Sequence, residues 1–245
     1  MIRLLVGVLV FVINVVYANR PYPRFYVLET VARVPYFSYL SVLHLYETLG
    51  WWRKADWLKI HFSESWNELH HLLIMESLGG ASFWGDRLLA RATALIYYWI
   101  IISIYMVSSK SAYHFMELVE GHAYASYDKF LNAEAESLKQ QPAPDIALQY
   151  YRDGDLYMFD EFQTSQTAVS RRPVIDNLYD VFVAIRDDEM EHVKTMVACQ
   201  QPMAEQSLLS PHGIPTIPTL ASEHPASASV SASASASVTE LKPSN

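Results

Sequence analysis

The stretch "WNELHHLLIME", residues 66–76, decides the fold. It places two glutamates and two adjacent histidines in a run that is otherwise mostly Leu, Ile and Met. An α-helix advances 100° per residue, so positions i and i+3 lie about 60° apart on one face. Glu68 and His71 therefore share a face and can reach one metal ion, whereas His70 points elsewhere. Glu76, eight residues beyond Glu68, falls roughly 80° around the helix and reads as an outer charge. With 15 Glu and 9 His in the chain, chance alone gives roughly 0.5 Glu-x-x-His matches. There are two, the second being Glu189-Met190-Glu191-His192 in RDDEMEHVKTM.

The pattern around these motifs is helical almost throughout. Helices are predicted over residues 29–49, 63–78, 86–108, 112–139 and 174–198. Gly50 closes the first and Gly79-Gly80 the second, while Ser65 and Glu68 offer a capping box for the second. Pro142, Pro144 and Gly154 punctuate a connecting region that holds the short apolar segment DLYMFDEF. Two further predicted helices each place a glutamate amid apolar residues: Glu29 in FYVLETVARV and Glu120 in FMELVEGHAY. One glutamate from each of two helices, with Glu-x-x-His from each of two others, is the donor set of ferritin-like di-iron bundles. Such hard oxygen and imidazole donors suit iron or manganese. Four carboxylates would not be buried together without cations to compensate them.

Composition narrows the alternatives. The chain of 245 residues is 51% hydrophobic and only 18% charged, enough for one domain whose surface also meets lipid. A net charge of −8 with no basic patch argues against a nucleic-acid partner. The single cysteine, Cys199, excludes an internal disulfide, a four-cysteine zinc site and a C-x-x-C-H haem attachment. Residues 1–20 form a hydrophobic segment, read as a membrane anchor or signal-like stretch. No Arg- and Ser-rich transit peptide precedes it, so the expectation is a bacterial or already processed chain. The uncharged run 92–109 reaches the lower edge of transmembrane length but reads equally as a core or interfacial helix. From residue 201 five prolines and then SASVSASASASV mark an expected disordered tail, leaving 21–200 as the functional domain.

LETVARVPYF, NELHHLLIMESLGG, LVEGHAYASYDKFL and RDDEMEHVKTM resemble the four motif regions of the alternative oxidase superfamily. NELHHLLIME, AYASYDKFL and PAPDIALQYYRDGDLYMFDEFQTS are similar to its plastid terminal oxidase branch. The resemblance covers about residues 20–200, in order and spacing. It implies six ligands to two iron ions, Glu29, Glu68, His71, Glu120, Glu189 and His192, and a redox-active tyrosine at Tyr127. Tyr127 lies seven residues after Glu120 and so returns to within about 20° of the same face. The resemblance further implies Asn67 and Asp188 as hydrogen-bond partners behind the ligands, with Arg24 and Leu28 lining a quinol pocket. His122 departs from the acidic residue that mitochondrial members carry there, so contacts near it transfer poorly.

The implied protein is all-α, a ferritin-like four-helix bundle with a di-iron centre and flanking membrane-associating helices. The implied activity is cyanide-resistant oxidation of plastoquinol, with O2 reduced to water. The implied setting is monotopic attachment to the thylakoid membrane of a cyanobacterium or plastid, with helices 29–49 and 92–109 supplying lipid-facing surface and a homodimer interface. The same ligand set also serves a di-iron hydroxylase of a quinone precursor or lipid, or a non-enzymatic iron-binding protein. For the side chains outside the ligand set, structural roles are expected. His44 and Glu47 belong here, while His122 and Glu117 are read as solvent or pocket-rim groups and the flanking pair Asp187 and Glu191 as a solvated edge.

Overall fold

The computed structural model describes residues 7, 10–11, 13–51, 55–152 and 173–201. DLYMFDEF and the Ala/Ser-rich tail lie outside the described residues, as does part of the hydrophobic N-terminal segment. Six helices are described: α1 Pro21–Thr48, α2 Ala55–Ser77, α3 Trp84–Val107, α4 Ser109–Lys139, α5 Asp145–Arg152 and α6 Leu178–Cys199.

Helix α1 begins eight residues before the expected start. Pro21 stands in its first turn, where the missing N–H costs nothing and the fixed φ favours helix. Helix α2 also starts early, so Ser65 and Glu68 lie mid-helix and the expected capping box does not form there. A capping box forms instead at α6. The Asn177 side chain accepts from the backbone N–H of Asp180, whose carboxylate accepts from the backbone N–H of Asn177. That closure starts α6 four residues later than periodicity alone suggests. The connecting region contains the helix α5, which its prolines had masked.

Four long helices, α1, α2, α4 and α6, make the bundle, with α1 packed on α2 and α4 on α6. The α4–α6 pair is antiparallel: the Leu178 N–H donates to the Gln141 carbonyl just past the end of α4. Helix α1 also runs against α4. Tyr127 pairs with Glu29, Tyr36 with Glu120, and the Tyr39 hydroxyl donates to the Ala112 carbonyl.

Helix α3 lies outside the bundle against α1 and α4. Its buried residues, Asp86, Ala90, Tyr97, Ile101 and Tyr105, follow one helical stripe. A bidentate pair from Arg20 to Asp86 ties its first turn to the start of α1. Its other face exposes Leu88, Leu95, Ile96, Trp99, Ile100 and Val107. Among the described residues it is the one helix long and apolar enough to cross a membrane. At the far end of α2, Gly80 is pressed against α1, where an added Cβ would lie 2.7 Å from the Tyr22 carbonyl oxygen.

Candidate metal centre

The four bundle helices bring the two Glu-x-x-His motifs and the glutamates Glu29 and Glu120 to one place. Glu29, Glu68, His71, Glu120, Glu189 and His192 are each wholly buried. They form two overlapping groups. In one, ligand atoms of Glu29, Glu68, His71 and Glu189 all lie within 4.8 Å of one another. In the other, Glu68, Glu120, Glu189 and His192 do the same. Glu68 and Glu189 belong to both groups, so the geometry provides two adjacent positions with two carboxylates in common.

The ring nitrogens face inward. His71 Nδ1 lies 3.3 Å from Glu189 Oε1 and 3.7 Å from Glu29 Oε2. His192 Nδ1 lies 2.9 Å from Glu68 Oε1 and 3.6 Å from Glu120 Oε1. Behind His71, Asp188 Oδ2 accepts from its Nε2 at 3.3 Å, from Asn67 Nδ2 at 3.0 Å and from Tyr151 Oη at 3.2 Å. Asn67 also donates to the Tyr150 hydroxyl at 2.8 Å. This shell fixes the His71 ring so that Nδ1 aims at the cluster, the usual way a ligating imidazole is oriented.

The donor set fits divalent or trivalent cations and little else. Glu29 Oε2, both oxygens of Glu68, Glu120 Oε2 and both oxygens of Glu189 are buried without a hydrogen-bond partner among the described residues. So many open carboxylate oxygens would cost several kcal/mol each if left ionised and uncompensated. Burial, then the neighbouring glutamates, pushes the carboxyls of Glu68 and Glu189 well above the usual range. Burial opposes a charge on His71, but its bonds to Asp188 and Glu29 outweigh that and hold its pKa up at about 10. Without cations the cluster therefore retains protons, and cations that bind it must displace them.

Two tyrosines complete the interior. Tyr127, fully buried, donates to Glu29 Oε1 and stacks on Phe25 with ring centres 4.3 Å apart. Tyr36, which the sequence reading did not single out, donates to Glu120 Oε1 at 2.6 Å. The available signal was spacing: Tyr36 follows Glu29 by seven residues, as Tyr127 follows Glu120. Burial and the Glu29 charge push the Tyr127 phenol well above its ordinary pKa, so it stays protonated until oxidised.

The remaining expected residues separate clearly. His70 lies off the cluster, with Nδ1 bonded to the Trp66 carbonyl and its ring stacked on Tyr150 at 4.1 Å. Glu76 is exposed. Arg24 Nη2 donates to Ser126 Oγ at 3.2 Å, and both line a cavity of about 480 Å³ with His122 and Lys129. Leu28 lines an adjoining apolar cavity with Val31, Ala32, Val119 and His122. Asp187 is exposed as expected, but Glu191 is not a solvated edge: it is buried on its α6 face and bonded to Lys194 at 2.6 Å.

Helices supplying paired Glu-x-x-His motifs and two further glutamates to one buried cluster define the helical di-iron carboxylate class. Within it, the chain belongs to the alternative oxidase family, whose model, Alternative oxidase, matches residues 2–201. It is 63% identical over 203 residues to "Ubiquinol oxidase 4, chloroplastic/chromoplastic" of Arabidopsis thaliana, covering 83% of this chain and 57% of that protein. It is 31% identical over 166 residues to "Alternative oxidase 3, mitochondrial" of Glycine max, covering 67% of this chain and 45% of that protein. "Ubiquinol oxidase 1b, mitochondrial" of Oryza sativa subsp. japonica is 30% identical over 166 residues, or 67% and 44% of the two chains. The chain thus spans about half the length of the curated relatives it matches.

Proposed function

We propose that this protein is a di-iron quinol oxidase that oxidises two plastoquinols and reduces one O2 to two waters, a transfer of four electrons with four protons released and four taken up. The single observation that carries this reading is the pair of overlapping, wholly buried clusters with two glutamates in common. The two cations are assigned to Glu29, Glu68, His71 and Glu189 on one side and Glu68, Glu120, Glu189 and His192 on the other. Iron bound there supplies the O2 chemistry and the exchange of electrons.

The chain's own residues do the rest. The cavity formed by Arg24, His122 and Ser126, with Leu28 and its apolar neighbours beside it, suits an amphipathic quinol: polar groups for the ring hydroxyls, apolar walls for the tail. Phe25 lines a neighbouring cavity with Arg24 and Ser126 and stacks on Tyr127, which supports a role for this phenol between the quinol side and the cluster. Tyr127 can give up an electron while its proton moves to the Glu29 oxygen it already touches. Asp188, with Asn67, holds the His71 ring. The low polarity around the cluster keeps bulk water from competing for the site.

The exposed apolar face of α3 supports one-leaflet attachment to a membrane, from which a lipid-soluble quinol could enter. Similarity to a chloroplastic and chromoplastic protein supports the thylakoid as that membrane. Residues 1–20 would add a further anchor: Phe11, Val15 and Val16 within them are exposed, while Ile13 and Tyr17 tie the segment to the core. The same apolar surface, with α1, is assigned to a homodimer contact. The test is oxygen uptake by the purified protein with a short-chain plastoquinol. Uptake should persist in millimolar-range cyanide, because a carboxylate-rich centre attracts that soft anion weakly. Oxygenated product in place of quinone would assign a hydroxylase, and a haem absorption band would remove the reading altogether.

A further inference from the structure

A second buried polar system runs from beside the cluster toward the end of the bundle, and its residues lie outside both candidate ligand groups. It begins one helical turn before Glu68, at Glu64, on the same face of α2. Glu64 Oε2 bonds to His61 Nδ1 at 2.9 Å, and His61 Nε2 bonds to the Tyr113 hydroxyl at 3.0 Å. The Tyr113 hydroxyl bonds in turn to that of Tyr105 at 2.8 Å. Five polar atoms on α2, α3 and α4 therefore stand in one unbroken line. His61 is wholly buried, and Glu64, Tyr113 and Tyr105 nearly so.

The two ends of this line are informative. At its inner end, Glu64 Oε1 is buried without a hydrogen-bond partner among the described residues, while the carboxylate also accepts a hydrogen bond from the Thr195 side chain on α6, three residues beyond His192. The line thus ends against α6 one turn from the ligand-type residue His192, with one carboxylate oxygen still open. At its outer end, Tyr105 stands two residues from the last residue of α3, near the half-buried Tyr46. That end of α1 and α3 is opposite the Arg24 and His122 cavity, which lies by the first half of α1.

Every member of the line can both give and accept a proton. The Tyr105 and Tyr113 hydroxyls can be bonded in either sense, and the His61 ring bonds through both nitrogens. Burial drives the His61 pKa down to about 3, so the ring is neutral, the form in which one nitrogen donates while the other accepts. As packing alone, the arrangement is costly, since apolar groups of the same shape would fill this space at no electrostatic penalty.

We infer that Tyr105, Tyr113, His61 and Glu64 form a proton relay between the outer end of the bundle and the metal cluster, separate from the quinol cavity. A proton arriving at Tyr105 displaces one to Tyr113. That passes one to His61 Nε2, while Nδ1 releases its own to Glu64 and thence to the oxygen being reduced. Reorientation of the hydroxyls and a change of tautomer reset the line, so the chain neither gains nor loses protons. Each water formed takes two protons, and protons released by quinol at the opposite cavity return to solvent, leaving the overall reaction unchanged. The link to O2 reduction rests on the oxidase reading, but the line itself can be tested without it.

The experiment measures solvent exchange of the His61 ring N–H by nitrogen-15 NMR of the histidine-labelled, iron-loaded full chain, with turnover recorded on the same samples. Tyr113→Phe and Tyr105→Phe remove only a hydroxyl each, and Tyr98→Phe, on α3 outside the line, is the control. A relay predicts that the His61 proton exchanges far faster than core backbone amides and slows about tenfold or more in both line variants. Quinol turnover should fall about tenfold in the same variants at unchanged KM and iron content, with a larger solvent isotope effect. Exchange as slow as the core amides, or equal in wild type and Tyr113→Phe, overturns the relay. So does full turnover in a Tyr113→Phe protein whose exchange has slowed. Fast, Tyr113-dependent exchange in a protein with no oxidase activity would keep the proton line and reject the oxidase.

Discussion

Tyr127 and Tyr36 make the same bond from mirrored positions, and their surroundings make them different. Each stands seven residues beyond a glutamate on its own helix, and each donates to the glutamate of the antiparallel partner helix. Tyr127 is stacked on Phe25, which lines a cavity together with Arg24 and Ser126. Tyr36 instead meets Tyr39, His61 and the His192 ring, with ring centres 5.3 Å apart in the last case. One spacing rule therefore serves both proposed routes into the same cluster, that of electrons from the cavity side through Tyr127 and that of protons from the bundle end, where Tyr36 meets the His61 ring. The lesson is that helical register can set a side chain's bond, while the neighbouring helices set its role.

The largest effect that would sharpen this comparison comes from the carboxylates themselves. Glu68→Ala or Glu189→Ala removes a donor common to both positions and should cost both irons and all activity. Glu120→Ala or His192→Ala should abolish activity while lowering iron by about half, because one position keeps its own donors. Metal analysis of the purified variants reads this directly, and equal iron loss in all four would deny that the two groups are distinct.

The tyrosines come next. Tyr127→Phe should retain iron yet lose about a hundredfold or more in turnover, while Tyr36→Phe should lose about tenfold. Equal losses, or a larger loss at Tyr36, would break the assignment of the electron route to the cavity side. The smallest effect belongs to packing. Gly80→Ala would bring a methyl against the backbone carbonyls of Tyr22 and Met75, both under 3 Å from the added carbon. It should lower stability by about 1–3 kcal/mol, seen as a lower Tm with activity preserved at low temperature. No change in Tm would mean that the end of α2 near the cavity is looser than the close approach indicates.

Much of this was legible in the sequence, for a physical reason. The cluster is written in i, i+3 pairs on apolar helices, and buried charge must be matched by something. The structure brings all six expected ligand-type side chains together, and sets Asn67 and Asp188 behind His71. The relay residues were not legible, because the pattern His-x-x-Glu occurs three times: His44 and Glu47, His61 and Glu64, His114 and Glu117. Only helix packing separates them. His44 is exposed and His114 is partly so, whereas His61 is wholly buried under α4. Helix starts were misread where local signals competed. Pro21 begins α1 early, and Ser65 looked like a cap while Asn177 was one.

The central claim is that two cations sit side by side over a pair of common glutamates. The most direct measurement is anomalous diffraction at the iron edge from crystals of the iron-loaded protein. The account predicts two adjacent peaks per chain, one among Glu29, Glu68, His71 and Glu189, the other among Glu68, Glu120, Glu189 and His192. A single peak, or peaks that leave Glu68 and Glu189 uncoordinated, would contradict it.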